Sequence, residues 1–327
     1  MLASPPTFED IRAAAARIGS LALRTPLLES TALNERLGAR LLIKPEVLQR
    51  TGSFKFRGAY NKISSLSETE RRRGIVAFSS GNHAQGVATS ARMFGVEATI
   101  AMPADAPEIK MRNVEAAGAS IIRFDRFKDD RMALVRPLID QGRILVPPYD
   151  DPAIIAGQGT IGLELIEQAQ ELDAQLDIVA TPCGGGGLIG GVSLAVKARS
   201  PSTEIWGAEP ENFDDTRRSL AAGERLGNEK GHGSICDAIL THEPGEITFQ
   251  INRETLSGVA AVSDAEAASA MREAAASFRL VVEPGGAVAL AAVLSGKMDV
   301  KGKTVAVVLS GGNVDPASYA AVMRGDI

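Results

Sequence analysis

The sequence has little cysteine, little histidine, few aromatic residues, no excess of positive charge and no long apolar run. Each shortage excludes something. Two cysteines, Cys183 and Cys236, form neither a metal-ligand spacing nor a disulfide framework. A chain of 327 residues needs no such staple, so a reducing compartment fits. His83, His232 and His242 stand singly, without ligand spacing, and their side chains read as structural. A net charge of -5 argues against a protein that grips a nucleic-acid backbone. No stretch approaches the roughly 18 apolar residues of a membrane span. The first ten residues carry neither the basic nor the apolar region of a signal peptide. These absences lead to the expectation of a soluble, cytoplasmic protein with no nucleic-acid and no membrane partner.

What the chain does have is glycine: 33, against ten Phe, three Tyr and one Trp, which implies tight turns and close backbone approaches. Its length exceeds the ~250 to 300 residues at which single cores divide, so two domains are expected. Patterning places a helix over 8–18, a strand over 40–44 and a helix from Arg57 to about Leu66. From 74 the alternation is regular. Strands over 74–78, 97–102 and 120–124 alternate with helices over 82–94, 108–117 and 129–141, the signature of a parallel sheet. Further on come a helix over 160–172, a strand over 177–181 and a helix over 188–199. A strand over 204–208, a loop over 223–246 and a strand over 259–262 follow. The last elements are helices over 264–278, capped by Ser263, and 285–294, and a strand over 304–309. The fold class is therefore α/β with two open parallel sheets. Residues 1–70 and 152–327 make the larger domain, and 71–151 a smaller one inserted in it.

Two stretches carry chemistry. In Thr51 to Gly58, Lys55 lies between Phe54 and Phe56 at the start of a helix. An amine there is part desolvated, which disfavours the ammonium and leaves a neutral amine able to attack a carbonyl. The eight residues alone fit a surface lysine lying over two rings at least as well. The second stretch, Gly184-Gly185-Gly186-Gly187, joins a strand to a helix. Free N–H groups and the positive helix end make it a phosphate cradle. Gly185, Gly187 and Gly190 also satisfy G-x-G-x-x-G, with Glu209 ending the next strand, so a nicotinamide-dependent oxidoreductase is the rival reading. That rival leaves Lys55 without a task.

Taken together, several motifs in order along nearly the whole chain resemble the serine/threonine dehydratases of the fold-type II, tryptophan synthase β-like pyridoxal-phosphate enzymes. They are Ser53-Phe54-Lys55-Phe56-Arg57-Gly58-Ala59, Ser79-Ser80-Gly81-Asn82-His83-Ala84-Gln85-Gly86 and Gly157-Gln158-Gly159-Thr160, together with Gly184 to Gly187, Glu283-Pro284-Gly285-Gly286-Ala287 and Ser310-Gly311-Gly312-Asn313. Serine racemase and 3-hydroxyaspartate dehydratase belong to the same group. The resemblance implies that Lys55 carries pyridoxal 5'-phosphate as a Schiff base beside Phe54 and moves the substrate α-proton. It implies that Gly184, Gly185, Gly186, Gly187 and the Leu188 N–H take the phosphate, that Asn82 bonds the ring 3'-oxygen, and that Ser310 meets the ring nitrogen. Asn82 fits a helix N-cap equally well. A hydroxyl at the ring nitrogen supplies no charge, which favours prompt loss of a β-hydroxyl over a long-lived carbanion. Glu283 is expected near the ring, or as a carboxylate at a helix start. Ser79, Ser80, Gly81, Asn82 and His83 form a loop at a helix start, suited to the substrate carboxylate. Ser80 holds the position that faces the lysine in racemases, which permits a catalytic role and racemase activity, with a structural serine N-cap as the alternative.

The resemblance also implies a Mg²⁺ or Ca²⁺ site at Glu209, the Phe213 carbonyl and Asp215, where a solvated acidic turn is the alternative. Arg131 and Arg136 fall near the place where some racemase-like members keep a carboxylate-binding arginine. Thr51-Gly52-Ser53 looks more like the threonine dehydratases, so L-threonine and L-serine are expected ahead of 3-hydroxyaspartate. The product is a 2-oxo acid with ammonia, and relatives suggest a homodimer. A binding protein of the same two-lobed shape without turnover is the remaining alternative.

Overall fold

The structure, a computed structural model, describes residues 4–79, 81–106, 108–125, 128–229 and 233–327. Ser80 and His232, both singled out above, lie outside the described residues. The strands at the sheet centres are near-continuous apolar runs buried on both faces, as parallel sheets covered by helices require, whereas the edge strands are partly exposed. In chain order the strands are β1 (Leu28–Glu29), β2 (Arg40–Pro45), β3 (Ile75–Phe78), β4 (Ala98–Pro103), β5 (Ser120–Phe124), β6 (Ile144–Leu145), β7 (Ile178–Pro182), β8 (Glu204–Pro210), β9 (Gly258–Val262) and β10 (Thr304–Leu309). Six of them form one sheet in the order β1-β2-β10-β7-β8-β9, and four form a second in the order β5-β4-β3-β6. Every pairing among these strands is parallel except the short β1 with β2. At the centre of the larger sheet, β10 pairs Val305 with Leu41 on one side and Ile178 on the other.

The helix Lys55–Ser65 joins the two sheets and positions the lysine. Ser53 bridges to Gly311, and the Phe54 N–H donates to the Ser310 carbonyl at 3.1 Å, so Lys55 is docked against the end of β10. Beneath the helix, Arg57 is fully buried between Glu46 (2.8 Å) and Glu164 (2.6 Å), and Lys44 reaches Glu164 at 2.6 Å. Burial pushes the Glu46 carboxyl up, but the adjacent Arg57 and Lys44 cations outweigh it and hold the group ionised.

Several boundaries differ from the sequence reading for physical reasons. The helix expected over 160–172 runs from Pro152 to Glu171, capped by Asp151, so Gly157 and Gly159 lie inside it. Those glycines allow contact: a Cβ on Gly157 would sit 2.7 Å from the Gly58 Cα. The expected loop over 223–246 contains, among its described residues, the 3-10 turn Asp237–Ile239, and it ends at a helix, Glu246–Thr255, that periodicity did not reveal. Helices Thr31–Leu37 and Pro316–Arg324 were not anticipated either. The strand β8 does end at Glu209-Pro210, as the sequence suggests. The helix begun at Asp264 changes to a π-turn over Ala274–Phe278.

Candidate active site

One cleft between the two sheets gathers Phe54, Lys55, Ser79, Gly81, Asn82, His83, Gly184 to Leu188, Glu283 and Ser310, residues that the sequence presents in five separate segments. Lys55 Nζ lies 5.1 Å from the Phe54 ring centroid and donates to the Pro148 carbonyl at 2.6 Å. Desolvation lowers its pKa to about 8, against a smaller opposing pull from the Glu283 carboxylate.

Facing it, the loop after β7 turns through Gly186 at φ +91° into the helix Gly187–Arg199. The Gly185 carbonyl is held away from the cleft by the Thr248 hydroxyl (2.7 Å) and the Gly245 N–H (3.3 Å). Gly184 to Leu188 line the cleft at the first turn of a helix, where N–H donors are to spare. Side chains are excluded here by packing. A Cβ on Gly185 would meet the Tyr149 ring at 2.5 Å, and one on Gly186 would meet Thr248 at 2.8 Å.

Asn82 is the first residue of its helix, and Gly81 occupies the cap. Its carboxamide is used sideways, with Nδ2 donating to Glu283 Oε1 and Oδ1 accepting from Asn313 Nδ2 at 2.7 Å. Glu283 stands at the start of the helix Pro284–Leu294 without capping it. Its Oε2 is buried with no partner among the described residues, and burial raises the carboxyl to about pKa 7 despite Lys110 and Lys55 nearby. Ser310 follows β10 and lines the same cleft. The His83 ring is tied to the Val146 carbonyl at 2.9 Å, and burial lowers its pKa to about 3, which keeps it neutral.

The cleft also holds residues that the sequence did not single out. Lys110, from the helix Glu108–Ala116, pairs with Asp237 at 3.2 Å, and Tyr149 lies on the glycine loop. Neither had a sequence signal beyond being a lone lysine and a lone tyrosine. Of the two arginines, Arg131 lines the cleft, its guanidinium 4.7 Å from the Phe78 ring, whereas Arg136 does not.

Glu209, Phe213 and Asp215 lie elsewhere, on the strand and turn that follow the glycine-loop helix. Glu209 accepts N–H bonds from Thr216 (3.1 Å) and Arg217 (3.0 Å), at the start of the helix Asp215–Ala222. Turned that way, it offers a ribose nothing, which removes the acidic partner that a dinucleotide site would need. Asp215 Oδ1 accepts from Asn228 at 2.7 Å, while Oδ2 is buried without a partner among the described residues. Burial and mutual repulsion raise Glu209 to about 8, and burial raises Asp215 to about 6. Among the described residues no cluster of three or more His, Cys, Asp or Glu side chains is arranged to hold a metal. Both cysteines are buried thiols whose pKa burial pushes up, Cys236 to about 12, so neither is poised as a nucleophile.

A desolvated lysine facing a backbone phosphate cradle, at the carboxyl ends of parallel strands, defines a class of cofactor enzyme. Residues 19–311 match the family described as pyridoxal-phosphate dependent enzyme, and the chain belongs to it. An L-threo-3-hydroxyaspartate ammonia-lyase of Saccharomyces cerevisiae is 43% identical, the match covering 98% of this chain and 97% of that protein. A serine racemase of Schizosaccharomyces pombe is 39% identical over 96% of each. Among solved structures, a threonine deaminase of T.th. superimposes with a TM-score of 0.89 at 45% identity, covering 95% of this chain and 99% of that one. The fold is that of the tryptophan synthase β-like enzymes, and the cofactor is pyridoxal phosphate.

Proposed function

We propose that the chain catalyses β-elimination from a β-hydroxy amino acid to give a 2-oxo acid and ammonia, with L-threo-3-hydroxyaspartate ahead of threonine and serine. One observation carries the substrate: the Arg131 guanidinium in the cleft that holds Lys55. The methyl of threonine and the hydrogen of serine leave that cation unused, whereas a second carboxylate pairs with it. Arg131 thus moves 3-hydroxyaspartate ahead of the order suggested by Thr51-Gly52-Ser53, in keeping with the named activity of the Saccharomyces relative.

The cofactor's place is supported by the residues present. Lys55 would carry it, the N–H groups of Gly184 to Leu188 would hold its phosphate, and Asn82 and Ser310 would meet the ring. Bound pyridoxal phosphate supplies an electron sink for the substrate Cα. The chain's part is then proton handling and orientation. With a pKa near 8, Lys55 can shed and regain a proton at working pH, so its amine can take the one on Cα. The start of the helix Asn82–Met93 offers N–H groups and a positive dipole end to the α-carboxylate. Water leaves as the α-proton and β-hydroxyl, and the enamine takes water back to release ammonia.

The unpartnered Asp215 Oδ2, beside Glu209, supports a divalent cation held by Glu209, Asp215 and the Phe213 carbonyl, a hard oxygen set suited to Mg²⁺ or Ca²⁺. The division into 1–70 with 152–327 and 71–151 is supported by the two sheets, whose strands separate at those limits. Two free thiols support a reducing, cytoplasmic setting, and among the described residues no helix is long and apolar enough to cross a membrane.

Ammonia release from the three amino acids tests the substrate. We expect the highest kcat/KM with L-threo-3-hydroxyaspartate. Arg131→Ala should lower that value about 10- to 100-fold while changing threonine turnover less than about threefold. A wild-type preference for threonine would overturn the assignment.

A further inference from the structure

Asn313 closes the Ser310-Gly311-Gly312-Asn313 motif, and none of the chemistry above uses its side chain. Its Nδ2 donates to two oxygens, Thr51 O and Asn82 Oδ1, each at 2.7 Å. A backbone carbonyl only accepts, so the atom facing Thr51 must be the nitrogen of Asn313. The Asn82 atom against that nitrogen must then be its oxygen. Asn82 is left with its nitrogen turned toward Glu283 Oε1, an acceptor that agrees with this assignment from the other end. The carboxamide of Asn82 is thereby locked in one of its two orientations. The lock presents N–H to the cleft and withholds C=O.

Asn313 also holds the turn that leads to the lysine. Thr51 (φ +63°) and Gly52 (φ +69°) both occupy the left-handed region, and the Gly312 N–H donates to the Gly52 carbonyl at 2.9 Å. A Cβ on Gly52 would lie 2.6 Å from Asn313 Oδ1, so the carboxamide is packed flat against that turn. One side chain thus joins the strained turn before Lys55 to the first residue of the helix Asn82–Met93.

We propose that Asn313 is a positioning residue that sets the orientation of the Asn82 carboxamide, so that a donor rather than an acceptor meets the cofactor ring. This rests on the placement of Asn82 against the cofactor given above. Asn313→Asp offers oxygens only, so the Asn82 amide turns to give it Nδ2 and brings Oδ1 round toward Glu283 and the cleft.

The test is a double-mutant cycle on the affinity of the cofactor-free proteins for pyridoxal phosphate, followed by the visible band and by melting of the same samples. Asn313→Asp is expected to weaken binding about tenfold and to shift the band, and Asn82→Ala to weaken binding at least as much. In the double variant the loss should match Asn82→Ala alone, to within about a factor of two. If Asn82→Ala binds like the wild type, the placement of Asn82 fails. If Asn82→Ala weakens binding but the two losses multiply, the placement survives and the role of Asn313 is overturned. Asn313→Ala, which adds no charge, gives the same coupling in a form that does not depend on the aspartate variant folding.

Discussion

Lys55 combines a half-buried ammonium with one carbonyl partner, Pro148, and its chemistry follows from that poverty of solvation. In the cofactor-free protein its rate of capture of pyridoxal phosphate should rise with pH through a midpoint near 8, well below the ordinary lysine value of 10.5, and level off about one unit above that midpoint. Borohydride-trapped label on Lys55, measured across pH 6.5 to ~10, reports this. A midpoint near that of free lysine would mean that the amine stands in water. The linkage has a definite sign. A lysine whose folded pKa is depressed costs stability fully below about pH 8, and the cost vanishes as pH rises through 10.5, where the unfolded chain loses its proton too.

At the scale of elements, most strands were legible, the two-residue Ile144–Leu145 being missed, and some of the helices were not. Strands buried on both faces read as uninterrupted apolar runs, so those over 74–78 and 304–309 were found nearly to the residue, and the partly exposed edge strand over 120–124 was found as well. The capping box at Ser263 likewise marks its helix start. The first turns of Pro152–Glu171 were hidden because Gly157 and Gly159 argue against helix, a local preference that tight packing on Gly58 overrides. Glu246–Thr255 was hidden because its buried Ile247, Phe249 and Ile251 alternate like a strand. In the site, motif residues such as Lys55 and Asn82 could be named beforehand because their neighbours mark them. Lys110 and Tyr149 could not, since only the tertiary fold brings them to the cleft. The glycine contact makes a prediction at this scale. Gly157→Ala places a methyl 2.7 Å from the Gly58 Cα and 2.8 Å from the Arg57 carbonyl, so backbone must move. It should cost about 1 to 3 kcal/mol in a denaturant titration. Gly233→Ala, with nothing within 4 Å among the described residues, should be neutral to within about 0.5 kcal/mol. Equal effects at the two positions would show that the helices are free to separate.

For the molecule as a whole, the raised carboxyl groups of Glu209 and Asp215 are a standing cost that a bound cation would relieve. Chelation should therefore lower the melting temperature near pH 7. Restoring Mg²⁺ or Ca²⁺ at ~100 times its dissociation constant should return about 2.7 kcal/mol. Asp215→Asn should make the melting curve indifferent to chelator. Superimposable wild-type curves with and without chelator would remove the cation from Glu209 and Asp215.

Because β10 lies beside β2, with Thr304 opposite Arg40, segments far apart in the sequence complete one another. During synthesis Lys55 emerges long before Ser310, whose carbonyl seats its neighbour Phe54. A ribosome-bound chain halted before Ser310 should therefore stay colourless when supplied with the vitamin-derived aldehyde, and colour should arrive only once Ser310 has left the ribosome.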